Sequence, residues 1–222
     1  MLNTQNKASL NLWIVVLSGC FLNRLTYQFL PDYSGPITAT ILIILCTVLI
    51  KSSKQQWSEY GLLKPKKPLR LLWKVLLVMV LTIAAGVLAS KVFGSLFDSN
   101  AIAQTRFEGM EGNIPMFVMW VVIGWVVGGF FEEMIFRGFL LNNFEKLFDR
   151  SKWATVLAII AQAFLFGLVH FYNRGIVGGL TIFTVAIVLG ILYIRFGRNL
   201  WPLIIAHGII DTLSFLEDFM GA

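Results

Sequence analysis

An all-α bundle that crosses a membrane about seven times is the fold class this sequence predicts, and three observations carry the prediction. Hydrophobic residues make up 57% of the chain and charged residues 14%, the balance of a protein dissolved in lipid rather than surrounded by water. The apolar residues come in continuous runs, without the alternation that a β-barrel with a polar lumen requires. Nineteen glycines and nineteen phenylalanines suit close helix approach and lipid packing.

Seven runs are long enough to consider as spans at about 1.5 Å of helix rise per residue. In order they are Leu10 to Leu30, Ile37 to Ile50, Leu71 to Phe93, Pro115 to Phe131 with a helical continuation, Trp153 to Val169, Ile176 to Ile194, and Leu200 to Leu216. The second is the shortest. The first carries Arg24, Thr26 and Gln28 where a signal peptide would place a small-residue cleavage site, and further runs follow it, so it reads as a span. Together they predict a single membrane-embedded domain over residues 1–222, with the fourth, fifth and seventh spans lining a cavity.

Basic residues set the orientation. Lys51, Lys54, Lys64, Lys66, Lys67, Arg70 and Lys74 crowd the link between the second and third runs, which the positive-inside rule puts in the cytoplasm. Threading from there places Lys7, Lys146, Arg150, Lys152, Arg195 and Arg198 on the same side and leaves only Arg24, Lys91, Arg106 and Arg174 on the other. The N-terminus is then cytoplasmic and the C-terminus outside. A net charge of +6 fits contact with anionic lipids, and no aromatic-basic groove points to nucleic acid. Cys20 and Cys46 lie inside apolar runs without CxxC or Cys–His spacing and read as small buried hydrophobes. Pro65 to Pro68 reads as a hinge, and Gly94 to Asn113 as a connector or a lid.

The chemistry begins at Glu132-Glu133-Met134-Ile135-Phe136-Arg137. Glu133 and Arg137 are four apart and share a helical face, which permits an ion pair in low dielectric. Glu132 points about 100° away and is left for another task. Snorkelling charges at a helix end are the plain alternative, but Asn142, Asn143, Glu145 and Lys146 already supply a more obvious polar end. His170 closes the fifth run, where a lone histidine is ordinarily interfacial. His207 and Asp211 are again four apart, on a helix that Asn199 and Pro202 start. Ionisable groups in hydrocarbon are functional candidates, and these are the chain's only two histidines.

Such a set supports hydrolysis in two ways. Glu132, assisted by His170, can deprotonate a water that attacks an amide carbonyl, with His207 and Asp211 stabilising the tetrahedral species. Alternatively His170, His207 and a carboxylate, Glu132 or Asp211, coordinate zinc. There is no HExxH, GxSxG or phosphate loop, and Ser151 and Ser214 lack a motif that would make them nucleophiles.

Glu132-Glu133-x-x-x-Arg137, Phe166-x-x-x-His170 and His207-x-x-x-Asp211, in this order on successive membrane helices, resemble the CPBP family of intramembrane proteases, also called the CAAX protease, bacteriocin-processing or Abi family. The resemblance covers a protease-like core at 115–216, and Glu59-Tyr60-Gly61-Leu62 is also similar. It implies an intramembrane endopeptidase hydrolysing membrane-associated peptides or proteins, in a bacterial plasma membrane, with Glu132, His170, His207 and Asp211 catalytic and Glu133 and Arg137 orienting. Asparagine often stands at the position of Asp211. Bacterial relatives add bacteriocin immunity to the roles implied, and the glutamate–histidine water mechanism implies no required cofactor, with zinc as the alternative. Two non-enzymatic readings compete: a membrane immunity or scaffold protein that binds a peptide or protein partner in the same cavity, and an ion-coupled transporter, for which no repeated half is present.

The threading contains one tension. His170 lies near the outer end of its span and His207 nearer the inner end, which straight helices would hold about 10 to 15 Å apart. Tilt, kinks or a partly re-entrant segment around Gly175 to Gly179 could close that gap; otherwise the span boundaries or the mechanism must change.

Overall fold

The structure, a computed structural model, describes residues 4–64, 67–97, 105–149 and 151–221, all of whose regular elements are helical. Pro65 and Lys66 of the expected hinge, residues 98–104 of the expected lid, and Arg150 lie outside the described residues. α1 (Thr4–Phe29) and α2 (Ser34–Ser52) form a hairpin around a single 3-10 turn at Pro31–Tyr33. The second apolar run is therefore longer as a helix than its hydrophobic residues indicate, because Ser34, Gly35 and Pro36 already belong to its first turn. α3 (Pro68–Leu96) opens on a proline, whose fixed φ and missing N–H suit a first turn.

α4 (Ile114–Ile123) is capped by Asn113, which accepts from the Met116 N–H at 3.2 Å. It runs without a break through two π-helical segments, Gly124–Glu132 and Met134–Leu141, into α5 (Asn142–Leu147). Wide i→i+5 turns of this kind are ordinarily single and recur at functional sites; here they carry Glu132 and Arg137 and flank Glu133. The fifth and sixth apolar runs form one continuous element, α6 (Ala154–Arg195), which turns sharply at Gly175 with φ 65° and ψ −171°. That combination is open essentially to glycine alone. Its two halves lie against each other: Gln162 Nε2 donates to the Ala186 carbonyl at 3.1 Å, and a Cβ on Gly167 would meet the Gly179 carbonyl at 2.8 Å. α7 (Trp201–Met220) completes the described helices, with Asn199 Oδ1 accepting from the Trp201 N–H at 3.1 Å and Pro202 in its first turn.

Five helical stretches are long and apolar enough to cross a membrane: Asn6–Phe29, Pro31–Ser52, Pro68–Leu96, Ile114–Leu147 and Ala154–Arg195. α7, with 20 residues, is shorter than these and carries Asp211, Glu217 and Asp218. Polarity is arranged inside out. Leu69 is 82% exposed and Phe21 67%, whereas Glu133, Arg137 and Gln162 are wholly buried. An apolar exterior of this extent is a lipid-facing surface, and the molecule is a polytopic membrane bundle. Cys20 lies on that exposed face, contrary to its expected burial, while Cys46 is buried; both are free thiols. The first faces outward because α1 packs on α2 through Leu12, Val15 and Gly19 instead.

One end of the bundle is tied by a buried polar network. Gly61 follows the 3-10 turn Trp57–Tyr60 with φ 100°, and its carbonyl accepts from the Leu200 N–H at 2.9 Å, just before α7. Tyr193 Oη donates to the Tyr60 carbonyl at 3.2 Å, and Asn142 Nδ2 donates to Tyr193 Oη at 2.9 Å. Arg198 binds both Asn142 Oδ1 at 2.6 Å and Glu145 Oε2 at 2.7 Å. Asn142 and Asn143 are thus buried joints rather than the exposed polar end expected of them. At the other end, Phe107, Met110, Trp120 and Phe215 pack together, so the described part of the expected lid is seated on α4 and α7.

Candidate functional site

The site depends on how closely the first π segment approaches α7. A Cβ on Gly129 would lie 2.9 Å from the Ile204 carbonyl and 3.2 Å from the Gly208 nitrogen, and one on Gly124 would lie 2.8 Å from Phe215. A Cβ on Gly128 would run into the Asp211 carboxylate, and one on Gly208 would lie 2.7 Å from the Trp125 ring. Small residues spaced four apart allow this near contact of backbones. Trp125 then fixes the pairing by donating from Nε1 to Thr212 Oγ1 at 3.0 Å.

With the two elements this close, Glu133 reaches α7. Its Oε1 accepts from Arg137 Nη1 at 3.0 Å, the expected i,i+4 pair, and also from His207 Nδ1 at 2.9 Å. The second bond was not legible in the sequence, which left His207 to pair with Asp211. His207 Nε2 is 3.8 Å from Asp211 Oδ1, an ion-pair distance outside hydrogen-bond range. A carboxylate on one imidazole nitrogen fixes the ring's tautomer and orientation and leaves the other nitrogen for chemistry. Arg137 is further held by the Phe166 ring, 4.5 Å from Cζ, while its Nε and Nη2 have no hydrogen-bond partner.

Glu132, by contrast, forms no hydrogen bond or ion pair among the described residues. It lines a cavity of about 110 Å³ together with His170, His207 and Asp211, so the four residues expected to be catalytic share one chamber. His170 Nδ1 donates to the Phe166 carbonyl at 2.8 Å, and its ring packs on Phe166 at 4.6 Å between centroids. The Nε2 lone pair is then the one available. A second cavity of about 720 Å³ shares the walls His170, Arg174, His207, Asp211 and Ser214 and extends between α3 and the second half of α6 along Val78, Thr82, Gly86 and Val185. The larger cavity is thus walled by α3, both halves of α6 and α7, and of the three spans expected to line a cavity the fourth lines only the small chamber.

Two cations missed by the sequence reading, which counted them as scattered charges of the far side, also face the small chamber: Arg106 and Arg174. The Arg106 guanidinium stacks on Phe107 at 4.7 Å and Trp120 at 5.7 Å. Burial pushes its pKa down to about 10, the positive charge of Arg174 acts in the same direction, and Glu132, Asp211 and Asp32 oppose it. Nothing beside them in the sequence marks this placement; the nearest local signal is Gly175, directly after Arg174.

The expected zinc set was His170, His207 and Glu132 or Asp211. Among the described residues no three His, Cys, Asp or Glu side chains gather at ligand spacing. Both histidines commit Nδ1 to other partners and leave Nε2 open, an arrangement that serves a water and a metal ligand equally.

A buried Glu–His pair beside a polar chamber, enclosed by apolar membrane helices, defines the class of membrane-embedded helical proteins with an ionisable centre in the bundle interior. Residues 114–213 match the family model described as Type II CAAX prenyl endopeptidase Rce1-like, which identifies a CAAX protease domain over that part of the chain. The match runs from the start of α4 into α7 and includes Glu132, Glu133, Arg137, His170, His207 and Asp211. No curated protein and no solved structure matches the chain.

Proposed function

We propose that the protein is an intramembrane endopeptidase that hydrolyses membrane-associated peptides or proteins with a water activated by Glu132 and His170. The observation that carries this reading is the single chamber walled by Glu132, His170, His207 and Asp211. A volume of about 110 Å³ holds a few waters, since each needs only about 10–15 Å³ of such space. Glu132, unpaired and facing the chamber, takes the proton as the water oxygen attacks the scissile carbonyl, while His170 Nε2 accepts the water's second hydrogen bond. His207, oriented by Glu133, donates from Nε2 to the developing oxyanion as an imidazolium, and Asp211 stabilises that charge. Glu132 then passes the proton to the leaving amine. Glu133 and Arg137 orient and do not touch substrate.

The larger cavity gives a membrane-embedded chain a route to the chamber. Seven crossings are supported by the fold-back at Gly175, because each half of α6 is long enough to traverse about 30 Å at about 1.5 Å per residue. A cytoplasmic N-terminus and contact with anionic lipids are supported by the pocket of about 420 Å³ lined by Lys64, Lys67, Arg70 and Lys74.

The test is cleavage of a peptide library by purified protein in detergent beside Glu132→Gln and His170→Ala. Cleavage by wild type and its loss in both variants is expected; equal cleavage by all three removes the proposed roles. A non-catalytic immunity or scaffold protein would keep its cellular function in Glu132→Gln and lose it when bulky side chains fill the cavity.

A further inference from the structure

The hydrolytic reading uses every ionisable wall of the small chamber except Arg106 and Arg174. Arg174 is the more informative. It lines both cavities, and its Nε is buried without a hydrogen-bond partner. Its guanidinium makes no ion pair among the described residues, although Glu132 and Asp211 share the chamber with it. A guanidinium is always charged, and holding one unpaired in an apolar bundle costs free energy unless an anion completes the site. Arg106 adds a second positive charge to the same chamber, with its plane fixed by Phe107 and Trp120. Arg106 is itself partnered, and Glu132, Asp211 and Asp32 favour its charge against burial and Arg174, so the open demand for an anion rests on Arg174.

The position suits a substrate. Arg174 follows His170 by one helical turn on the same face of α6, and the Gly175 turn ends that half of the helix directly after it, keeping the side chain at the chamber rather than further along a lipid-facing surface. The planar fork of a guanidinium matches a carboxylate with two parallel N–H···O bonds. We infer that Arg174, with Arg106 beside it, is the anchor for a carboxylate of the peptide substrate, supplied by its C-terminus or by an acidic side chain, and so sets which peptide bond meets the water at Glu132. This rests on the hydrolase reading for its consequence, but the carboxylate site itself is a matter of binding.

Binding is therefore measured in the Glu132→Gln background, where turnover is removed. The probes are a fluorescein-labelled apolar hexapeptide with a free C-terminal carboxylate, its C-terminal amide, and the amide carrying one internal glutamate. The free acid, the internal glutamate form, or both are expected to bind about ten- to a hundredfold more tightly than the plain amide, as for a charged hydrogen-bonded pair. Which of them does so identifies the source of the carboxylate. Adding Arg174→Gln erases the preference, and Arg174→Lys, which keeps the charge and reports on folding, retains part of it. Equal affinity for all three probes, including no measurable binding of any, overturns the inference, as does a preference that survives Arg174→Gln. Failure of the hydrolase reading shows separately, as wild-type protein that cleaves none of the peptides while the binding preference persists.

Discussion

The two neighbouring glutamates separate stability from activity, and exchanging each for glutamine tests the division. Glu133 and Arg137 are both wholly buried, and Glu133 Oε1 is the acceptor for both Arg137 and His207. Removing its charge strands a guanidinium that already has two nitrogens without partners. Breaking a buried pair by loss of one member costs about 3–5 kcal/mol; glutamine keeps one carbonyl acceptor, so Glu133→Gln is expected at the lower end, about 3 kcal/mol. At about 2–4 °C per kcal/mol for a chain of this size, the unfolding midpoint falls by roughly 6–12 °C. Glu132 has no hydrogen-bond or ion-pair partner to lose among the described residues, so Glu132→Gln is expected to change stability by less than about 1 kcal/mol while removing the proposed base, a loss of about 10²–10⁴-fold in rate. Tryptophan fluorescence during thermal unfolding in detergent reads the first quantity and peptide cleavage well below the midpoint reads the second. An unaltered midpoint in Glu133→Gln, or a large fall in Glu132→Gln with cleavage retained, would refute the assignment of orienting and reacting roles.

Gly129→Ala sets a methyl against the backbone of α7 at 2.9 Å and 3.2 Å, so the helices must part; a destabilisation of about 1–3 kcal/mol and at least about tenfold slower cleavage are expected by the same two assays, whereas Gly94→Ala, with open space around it, is neutral or stabilising. Chelation followed by zinc add-back, with metal analysis of the purified protein, is expected to leave cleavage unchanged; stoichiometric zinc and reversible loss of activity would transfer His170 and His207 to a ligand role. Single cysteines at Lys64 and Lys152 in vesicles are expected to label from the same side, and labelling from opposite sides would overturn the threading. In the native chain Cys20, exposed on α1, reacts with a membrane-permeant maleimide faster than buried Cys46.

The apolar runs made the helices legible, and the spacing of Glu133 with Arg137 made their pairing legible, because both are properties of one helix. The Asn199 start of α7 and the turn near Gly175 were equally local and equally readable. The Glu133–His207 bond was not, since it joins residues 74 apart and exists only because Gly124, Gly128, Gly129 and Gly208 let two backbones nearly touch; the small-x-x-x-small spacing from Gly124 to Gly128 was the signal available for it. Asn142 and Asn143 look like surface residues by type, and only the partners Tyr193 and Arg198, far along the chain, account for their burial. Arg106 and Arg174 were counted toward orientation because a charge count carries no information on which way a side chain turns.

The hairpin within α6 has a consequence for the order in which the molecule is made. Its two halves meet through contacts such as Gln162 with Ala186, 24 residues apart, so this unit closes early, as local pairings do. Glu133 and Arg137 likewise meet within one turn. The pairing with His207 must wait until α7 has been synthesised and has slid against the glycine face of the π segment. A nascent chain therefore carries Glu132 and His170 well before it carries His207, and on the roles proposed for them cleavage is expected only once the bundle is whole.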